Sequence, residues 1–338
     1  KESTMLILGI ESSCDETGLA LYSEGEGLIA HMVNSQVELF TEYGGVIPEI
    51  AARDHSVKII NILKTLLKKA DKKLNDINLV AYTAGPGLIG SLMVGETVAK
   101  TISNVLDIEL LPINHLEGHI LAPGLEDDNL ETPYLCLLVS GGHTQIIECS
   151  DYGSYKILGE TVDDACGEAF DKVGKLLNLD YPGGPKVSKL AAGGDPARFN
   201  FPRALMKDRN LNFSFSGLKT AVLYALEDLD EKDYPDVAAS FQEAVVDVLV
   251  KKLAYAIEQT GIKKLVCSGG VAANSLLRER LTDMGKTSEL EVSYPKMEFC
   301  TDNAAMIAYA GFIRKKYNLK EYPTKFARPR WPLGELYD

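Results

Sequence analysis

The chain has 338 residues, 46% hydrophobic and 25% charged, proportions that exclude a disordered, collagen-like or low-complexity protein. Asp and Glu outnumber Lys and Arg by 48 to 35, a formal charge of −13, which argues against a protein that coats nucleic acid through bulk charge. No apolar run approaches the roughly 18–20 residues of a membrane span.

The start, Lys1-Glu2-Ser3-Thr4-Met5, is polar and lacks the plan of a signal peptide; Met5 reads as the original start. Strand and helix signals then alternate, which predicts an α/β fold. Leu6–Ile10 and Gly18–Tyr22 read as two strands of a hairpin with an oversized polar turn, Glu11–Thr17. A long helix is expected after Pro48, with Ile59, Ile62, Leu63, Leu66 and Leu67 on one face and Lys58, Lys64, Lys68 and Lys69 off it. Leu79–Thr83 is a buried strand running into the glycine-rich turn Ala84–Ser91, with a helix over Leu92–Asn104. The hairpin plan repeats at Tyr134–Val139, turn Ser140–Thr144 and strand Gln145–Cys149, which suggests an internal duplication. A periodic helix through Phe241, Val245, Leu249, Leu253 and Ile257 ends at Gly261, a C-cap. Lys264–Cys267 then leads into Ser268-Gly269-Gly270 and a helix over Ser275–Leu281. Cys14, Cys136, Cys149, Cys166, Cys267 and Cys300 form no C-x-x-C pair, so they read as reduced, mostly buried thiols, with the cytoplasm as default compartment.

Three glycine turns at strand ends let backbone amides approach phosphate oxygens, although each alone is equally a tight turn. None is a Walker or G-x-G-x-x-G sequence, so P-loop and Rossmann readings lose ground. Two polar hairpin turns plus a late glycine turn opening a helix are instead the plan of the actin/sugar-kinase/Hsp70 (ASKHA) superfamily, two lobes clamping a nucleotide. His115-Leu-Glu-Gly-His119 places two imidazoles on one helical face, where they could share a metal or be unrelated structural histidines. It is not the zinc-protease motif, because Leu116 follows the first histidine and Glu117 points to another side. Asp302 is a candidate third ligand, or a plain helix N-cap.

Eight motifs make the resemblance specific. In order they are Gly9-Ile-Glu-Ser-Ser-Cys-Asp-Glu-Thr17, Gly85-Pro-Gly-Leu88, Asn114-His-Leu-Glu-Gly-His119, Leu138-Val-Ser-Gly-Gly-His-Thr-Gln145, Gly167-Glu-Ala-Phe-Asp-Lys172, Tyr181-Pro-Gly-Gly-Pro185, Phe213-Ser-Phe-Ser-Gly-Leu-Lys-Thr220 and Ser268-Gly-Gly-Val-Ala-Ala-Asn274. Together, over essentially the whole chain, they resemble the bacterial TsaD family of tRNA N6-adenosine threonylcarbamoyltransferases. The resemblance implies an ASKHA fold of two duplicated lobes around a nucleotide cleft, expected as 1–110 plus 313–338 and as 111–312, the second carrying most metal and nucleotide contacts. It implies transfer of a threonylcarbamoyl group from threonylcarbamoyl-AMP to N6 of adenosine 37 in tRNAs reading codons that begin with A. It places one divalent metal, iron or zinc, on His115, His119 and Asp302. Substrate and nucleotide contacts fall on Leu138, Val139, Ser140, Gly141, Gly142, Asp171, Gly184 and Asn274. Where some members carry an Asp, this chain has Ser188, which puts a ribose or adenine contact there in doubt. Phe170 and Leu218 read as core.

The donor is a mixed anhydride, so the protein must neutralise charge, exclude water and position a weak amine nucleophile. Asp171 suits ribose hydroxyls. Asp15 is the candidate general base for N6, with Glu16 the weaker candidate and a solvated turn acid as its alternative. Expected partners are tRNA, a TsaB-like paralogue and a TsaE-like P-loop ATPase, with no membrane. From Pro196 to Thr220, Arg198, Arg203, Lys207, Arg209 and Lys219 face Asp208 alone, interleaved with Phe199, Phe201, Phe213 and Phe215. That segment and the basic C-terminus, with Lys325, Arg328 and Arg330, are the candidate tRNA surface, or solvated faces over core phenylalanines. The chain's surplus acids collect partly in Glu126–Glu131. A small-molecule kinase of the same fold and a non-catalytic nucleotide-gated partner are the competing classes; kinases hold magnesium with carboxylates and water, not imidazoles.

Overall fold

A computed structural model describes residues 5–126, 130–207, 209–323 and 325–337. The segment ahead of Met5, Asp127 and Asp128 of the acidic stretch, and Asp208 lie outside the described residues. Two compact units are formed, one of Lys1–Leu130, Asp151–Tyr155 and Thr301–Asp338, the other of Glu131–Ser150 and Lys156–Cys300.

The first unit begins with β1 (Leu6–Glu11), β2 (Glu16–Ser23) and β3 (Gly27–Ser35), followed by the short α1 (Val37–Phe40) and the long α2 (Pro48–Lys69). Next come β4 (Leu79–Gly85), α3 (Ile89–Leu106), β5 (Glu109–Asn114) and α4 (His115–Leu121). The second unit is built on β6 (Tyr134–Val139), β7 (Thr144–Asp151), β8 (Ser154–Glu160), α5 (Cys166–Leu176), α6 (Gly183–Ala191), α7 (Ser216–Leu226) and α8 (Tyr234–Thr260). It closes with β9 (Lys264–Ser268), α9 (Ser275–Ser288), β10 (Glu291–Ser293) and α10 (Met297–Cys300). α11 (Ala304–Lys316) and the C-terminal segment belong to the first unit.

The two sheets have one topology. Strand order is β3-β2-β1-β4-β5 in the first and β8-β7-β6-β9-β10 in the second. In each, an antiparallel hairpin (β1 with β2, β6 with β7) carries two further strands in parallel (β4 and β5, β9 and β10). The duplication suggested by the repeated hairpin is therefore a duplication of whole lobes. Their bounds differ from those expected. β5 pairs in parallel with β4, so α4, which it feeds, stays with the first sheet. α11 packs on β1 and β2, and a Cβ on Gly9 would meet the Ala304 carbonyl at 2.4 Å. Residues 111–130 and 301–312, and with them His115, His119 and Asp302, thus lie in the first unit rather than the second.

The first polar turn is shorter than expected, Ser12–Asp15, because Glu11 pairs with Gly18 in the ladder and Glu16 and Thr17 belong to β2. α8 ends at Gly261 with φ +71, the left-handed cap anticipated. The six cysteines form no disulfide. Among the described residues no helix is long and apolar enough to cross a membrane.

Candidate metal and nucleotide sites

Asn114, at the end of β5, accepts from the amides of Leu116 at 2.9 Å and Glu117 at 3.4 Å and so caps α4. One turn apart on that helix, the rings of His115 and His119 stand 4.8 Å apart and nearly perpendicular. Their Nε2 atoms lie 3.3 and 3.0 Å from Oδ1 of Asp302. Asn303, not Asp302, caps α11, accepting from the Met306 amide at 3.0 Å, which leaves the Asp302 carboxylate to the imidazoles. The ligand atoms of the three residues lie within 4.8 Å of one another, and no second such group forms among the described residues. Two imidazoles and a carboxylate suit a first-row divalent ion such as Fe2+ or Zn2+, so the residues present fit the metal.

Glu11 was missed in the sequence. It is wholly buried, with Oε2 3.0 Å from Nδ1 of His115, and it accepts from Thr83 Oγ1 at 2.5 Å and the Ser13 amide at 2.6 Å. Its signal was an ionisable residue closing an otherwise apolar strand, β1, every position of which is buried. Burial alone would lower His115, but Asp302 and then Glu11 hold it well above the usual histidine range. Burial likewise favours protonated Asp302, and His115 with His119 outweigh it, holding the carboxyl far below its ordinary value. Glu117 does face elsewhere, donated to by Arg314 at 3.0 and 3.1 Å and by the Tyr322 hydroxyl. Asp15 is buried at the end of the first turn. Burial, then the Asp15 and Asp302 carboxylates, push its neighbour Glu16 well above the usual carboxylate range.

The glycine turns differ in kind. Gly85 has φ +153, and a Cβ there would lie 1.8 Å from the Arg328 carbonyl. The Gly87 amide donates to the Pro329 carbonyl at 3.1 Å and that of Leu88 to the Ser13 carbonyl at 2.8 Å. This turn clasps the C-terminal segment, and its amides are engaged by protein. In the second unit, the amides of Gly141 and Gly142, both exposed, have no partner among the described residues. Leu138 and Val139 are strand residues with wholly buried side chains, so only their backbone could meet a ligand. Gly167 donates to the Ser140 carbonyl at 3.1 Å, seating the turn on the start of α5. Asp171 accepts from the amides of Gly183 at 2.8 Å and Gly184 at 3.3 Å, joining two of the expected contact residues. Ser188 bonds to Asn274 and to Gln242, a residue the motifs did not single out. Phe170 and Leu218 are core, as read.

The three arginines of the first basic segment are not open cations, while Lys207 is exposed. Arg198 pairs with Asp233 at 2.8 Å and Asp236 at 2.7 Å, Arg203 with Asp247 at 2.7 Å, and Arg209 with Glu258. All four acids come from α8 or the turn before it, which no count over a sequence window could see. Phe201, Phe213 and Phe215 are buried core and cannot stack on bases; Phe199 stacks on Phe201. In the C-terminal segment Arg314 is buried and Lys315 pairs with Glu109, while Lys325 and Arg330 are exposed.

Asp163 ties down the start of α7, accepting from Ser214 Oγ at 2.5 Å, Ser216 Oγ and the Phe215 amide at 2.8 Å, and the Ser216 amide at 3.3 Å. Partial burial would raise its carboxyl; the bonds from Ser214, Phe215 and Ser216 outweigh that and hold it below 3.8. A depressed folded value gives stability that is present above the unfolded value and lost as pH falls through the folded one. The stability gap between wild type and D163N should therefore be constant above the carboxylate range and shrink below pH 3.8. Urea denaturation across pH measures it; a gap independent of pH contradicts the assignment.

Among solved structures, the chain is similar to HypF from T. kodakarensis, with 15% identity and TM-score 0.66 over 94% of this chain and 48% of that one. Full-length HypF in a phosphate- and nucleotide-bound form gives 15% identity and TM-score 0.62 over 94% and 47%. Component A of (R)-2-hydroxyglutaryl-CoA dehydratase from Acidaminococcus fermentans gives 15% and 0.52 over 90% and 96%. The chain spans about half the length of the HypF chains it matches. At such identities the likeness shows the fold alone, which is the ASKHA fold with duplicated lobes. The family model for TsaD, tRNA N6-adenosine threonylcarbamoyltransferase, matches residues 27–309, most of the sequence, and the chain belongs to that family of transferases.

Proposed function

We propose that this chain transfers the threonylcarbamoyl group of threonylcarbamoyl-AMP to N6 of adenosine 37 in tRNAs reading codons that begin with A. The observation that carries the reading is the donor set of buried His115 and His119 with partly buried Asp302 in a chain of this family. The N6 amine forms a bond to the carbamoyl carbon, the bond from that carbon to the phosphate oxygen breaks, AMP departs, and N6 gives up a proton. A divalent ion held by His115, His119 and Asp302 would supply a Lewis acid for substrate oxygens.

The remaining work falls to the chain's own groups. The Gly141 and Gly142 amides suit phosphate or carbamate oxygens, since paired unengaged N–H groups in a turn attract anions. Asp171, acceptor-only when ionised, suits ribose hydroxyls, with Gly184 and Asn274 completing the nucleotide contacts. Asp15, with Glu16 as the weaker candidate beside it, is the group proposed to take the N6 proton. Lys325 and Arg330 are the exposed cations left for tRNA phosphates in the C-terminal segment. Partners are a TsaB-like paralogue and a TsaE-like P-loop ATPase, in the cytoplasm, where the thiols remain reduced.

The test is mass spectrometry of tRNA nucleosides after a single turnover with threonylcarbamoyl-AMP, with and without the partners. Threonylcarbamoyl-adenosine at position 37 and release of AMP are expected. Unmodified tRNA in the complete mixture, from protein that carries its metal, would sink the proposal.

A further inference from the structure

Hydrogen-bond directions in the second unit orient a side chain that no motif contains. The Leu277 amide, which can only donate, reaches Oδ1 of Asn274 at 3.0 Å where Asn274 caps α9. That turns Asn274 Nδ2 the other way, toward Ser188 Oγ at 2.7 Å and Gln242 Oε1 at 2.8 Å. Both hydrogens of Nδ2 are then engaged and both neighbours must present acceptors. Ser188 accepts from Asn274 and directs its own proton to Gln242 Oε1 at 2.5 Å. Gln242 Oε1 thus receives two bonds, and Gln242 Nε2 faces away from the cluster with no partner among the described residues. Gln242 as a whole is only 8% exposed, yet its Nε2 is not among the atoms closed off from solvent, so its free donors are the part of the side chain open to an incoming acceptor.

The position says what. Gln242 lies on α8, and its partner Ser188 lies on α6 one turn from Gly184, on the same face of that helix. Gly184 in turn donates to Asp171. Anionic oxygens are drawn to the open Gly141 and Gly142 amides, whereas a neutral carboxamide locked by neutral partners suits a neutral acceptor. We propose that Gln242 binds the nucleoside part of the donor substrate, its Nε2 amide donating to a ribose oxygen or a ring nitrogen of the base. Ser188 acts on the ligand through Gln242, as a positioning residue, and Asn274, itself a proposed nucleotide contact, shares in holding the Gln242 carbonyl inward and its donors outward. This assignment rests on the proposed nucleotide donor.

The test is AMP binding by calorimetry to the full chain. Q242E retains the inward oxygen and replaces the outward donor by an acceptor; Q242M removes the donor without adding charge and serves where Q242E fails to fold. Each folded variant should bind AMP about tenfold more weakly or worse, with a melting temperature near that of wild type. In wild type, the Gln242 side-chain amide resonances should shift on AMP titration. A folded variant that binds AMP as wild type does overturns the assignment while leaving the nucleotide reading intact. Wild type that binds no AMP overturns the nucleotide reading, and this assignment with it.

Discussion

Replacing Arg314 by alanine should destabilise the first unit by about 3–5 kcal/mol, the range for breaking a buried ion pair by removing one partner. Arg314 on α11 and Glu117 on α4 are both essentially without solvent contact, at 2% and 0% side-chain exposure. Two of the guanidinium's bonds go to the two carboxylate oxygens of Glu117, others to the Tyr322 hydroxyl and the Lys320 carbonyl. Burial works against the charge, and attraction to Glu117 outweighs it, holding Arg314 above even its usual value. Without the arginine, Glu117 keeps a buried negative charge whose remaining partner is a set of hydroxyls. The effect should be read as a shift in the urea midpoint at unchanged slope. Because α4 also carries His115 and His119, R314A should release bound metal at lower chelator concentration than wild type. The double variant E117L/R314M should recover much of the loss, since an apolar pair of similar volume removes both charges together. If R314A melts with wild type, the pair contributes nothing and the network is incidental.

That pair also shows which parts of the molecule local patterns could reach. Tyr134–Val139 was read with the bounds of β6, and the C-cap at Gly261 was found, because an unbroken apolar run and a left-handed glycine are local signals. The family resemblance pointed to His115, His119 and Asp302, and folding brings them together. The lobe boundary was misplaced because β5 is claimed by its parallel partner β4, a pairing across a whole helix. Long-range charge was likewise hidden: Arg198, Arg203 and Arg209 looked like an open basic face until α8 supplied their acids. Arg314 and Gln242 act through partners far along the chain, so nothing in their immediate neighbours marks them, and Glu11 is marked only by closing an apolar strand.

Glu11 is the case with the sharpest consequence for the metal site. E11Q should lower metal affinity by about 10–100-fold, the usual effect of removing an outer partner that orients a ligating histidine. A carboxylate facing Nδ1 of His115 is a pure acceptor, so it holds the proton on Nδ1 and leaves Nε2 to face Asp302. Glutamine presents donors as well as an acceptor, and a turned amide would favour the opposite tautomer. The carboxylate is itself fixed by Thr83 and by the Ser13 amide, so its aim is set before any ion binds. His119 has no equivalent support, since its buried Nδ1 lacks a partner among the described residues. The two imidazoles are therefore unequal: His115 meets a carboxylate at each ring nitrogen, whereas His119 meets only Asp302, at Nε2. T83V, which removes one bond to Glu11 and keeps its charge, should weaken metal binding by a smaller factor than E11Q. Competition with a coloured chelator reads both affinities without an activity assay, and far-ultraviolet circular dichroism checks that the variants remain folded. A folded E11Q protein that retains its metal as firmly as wild type would show that His115 needs no second carboxylate.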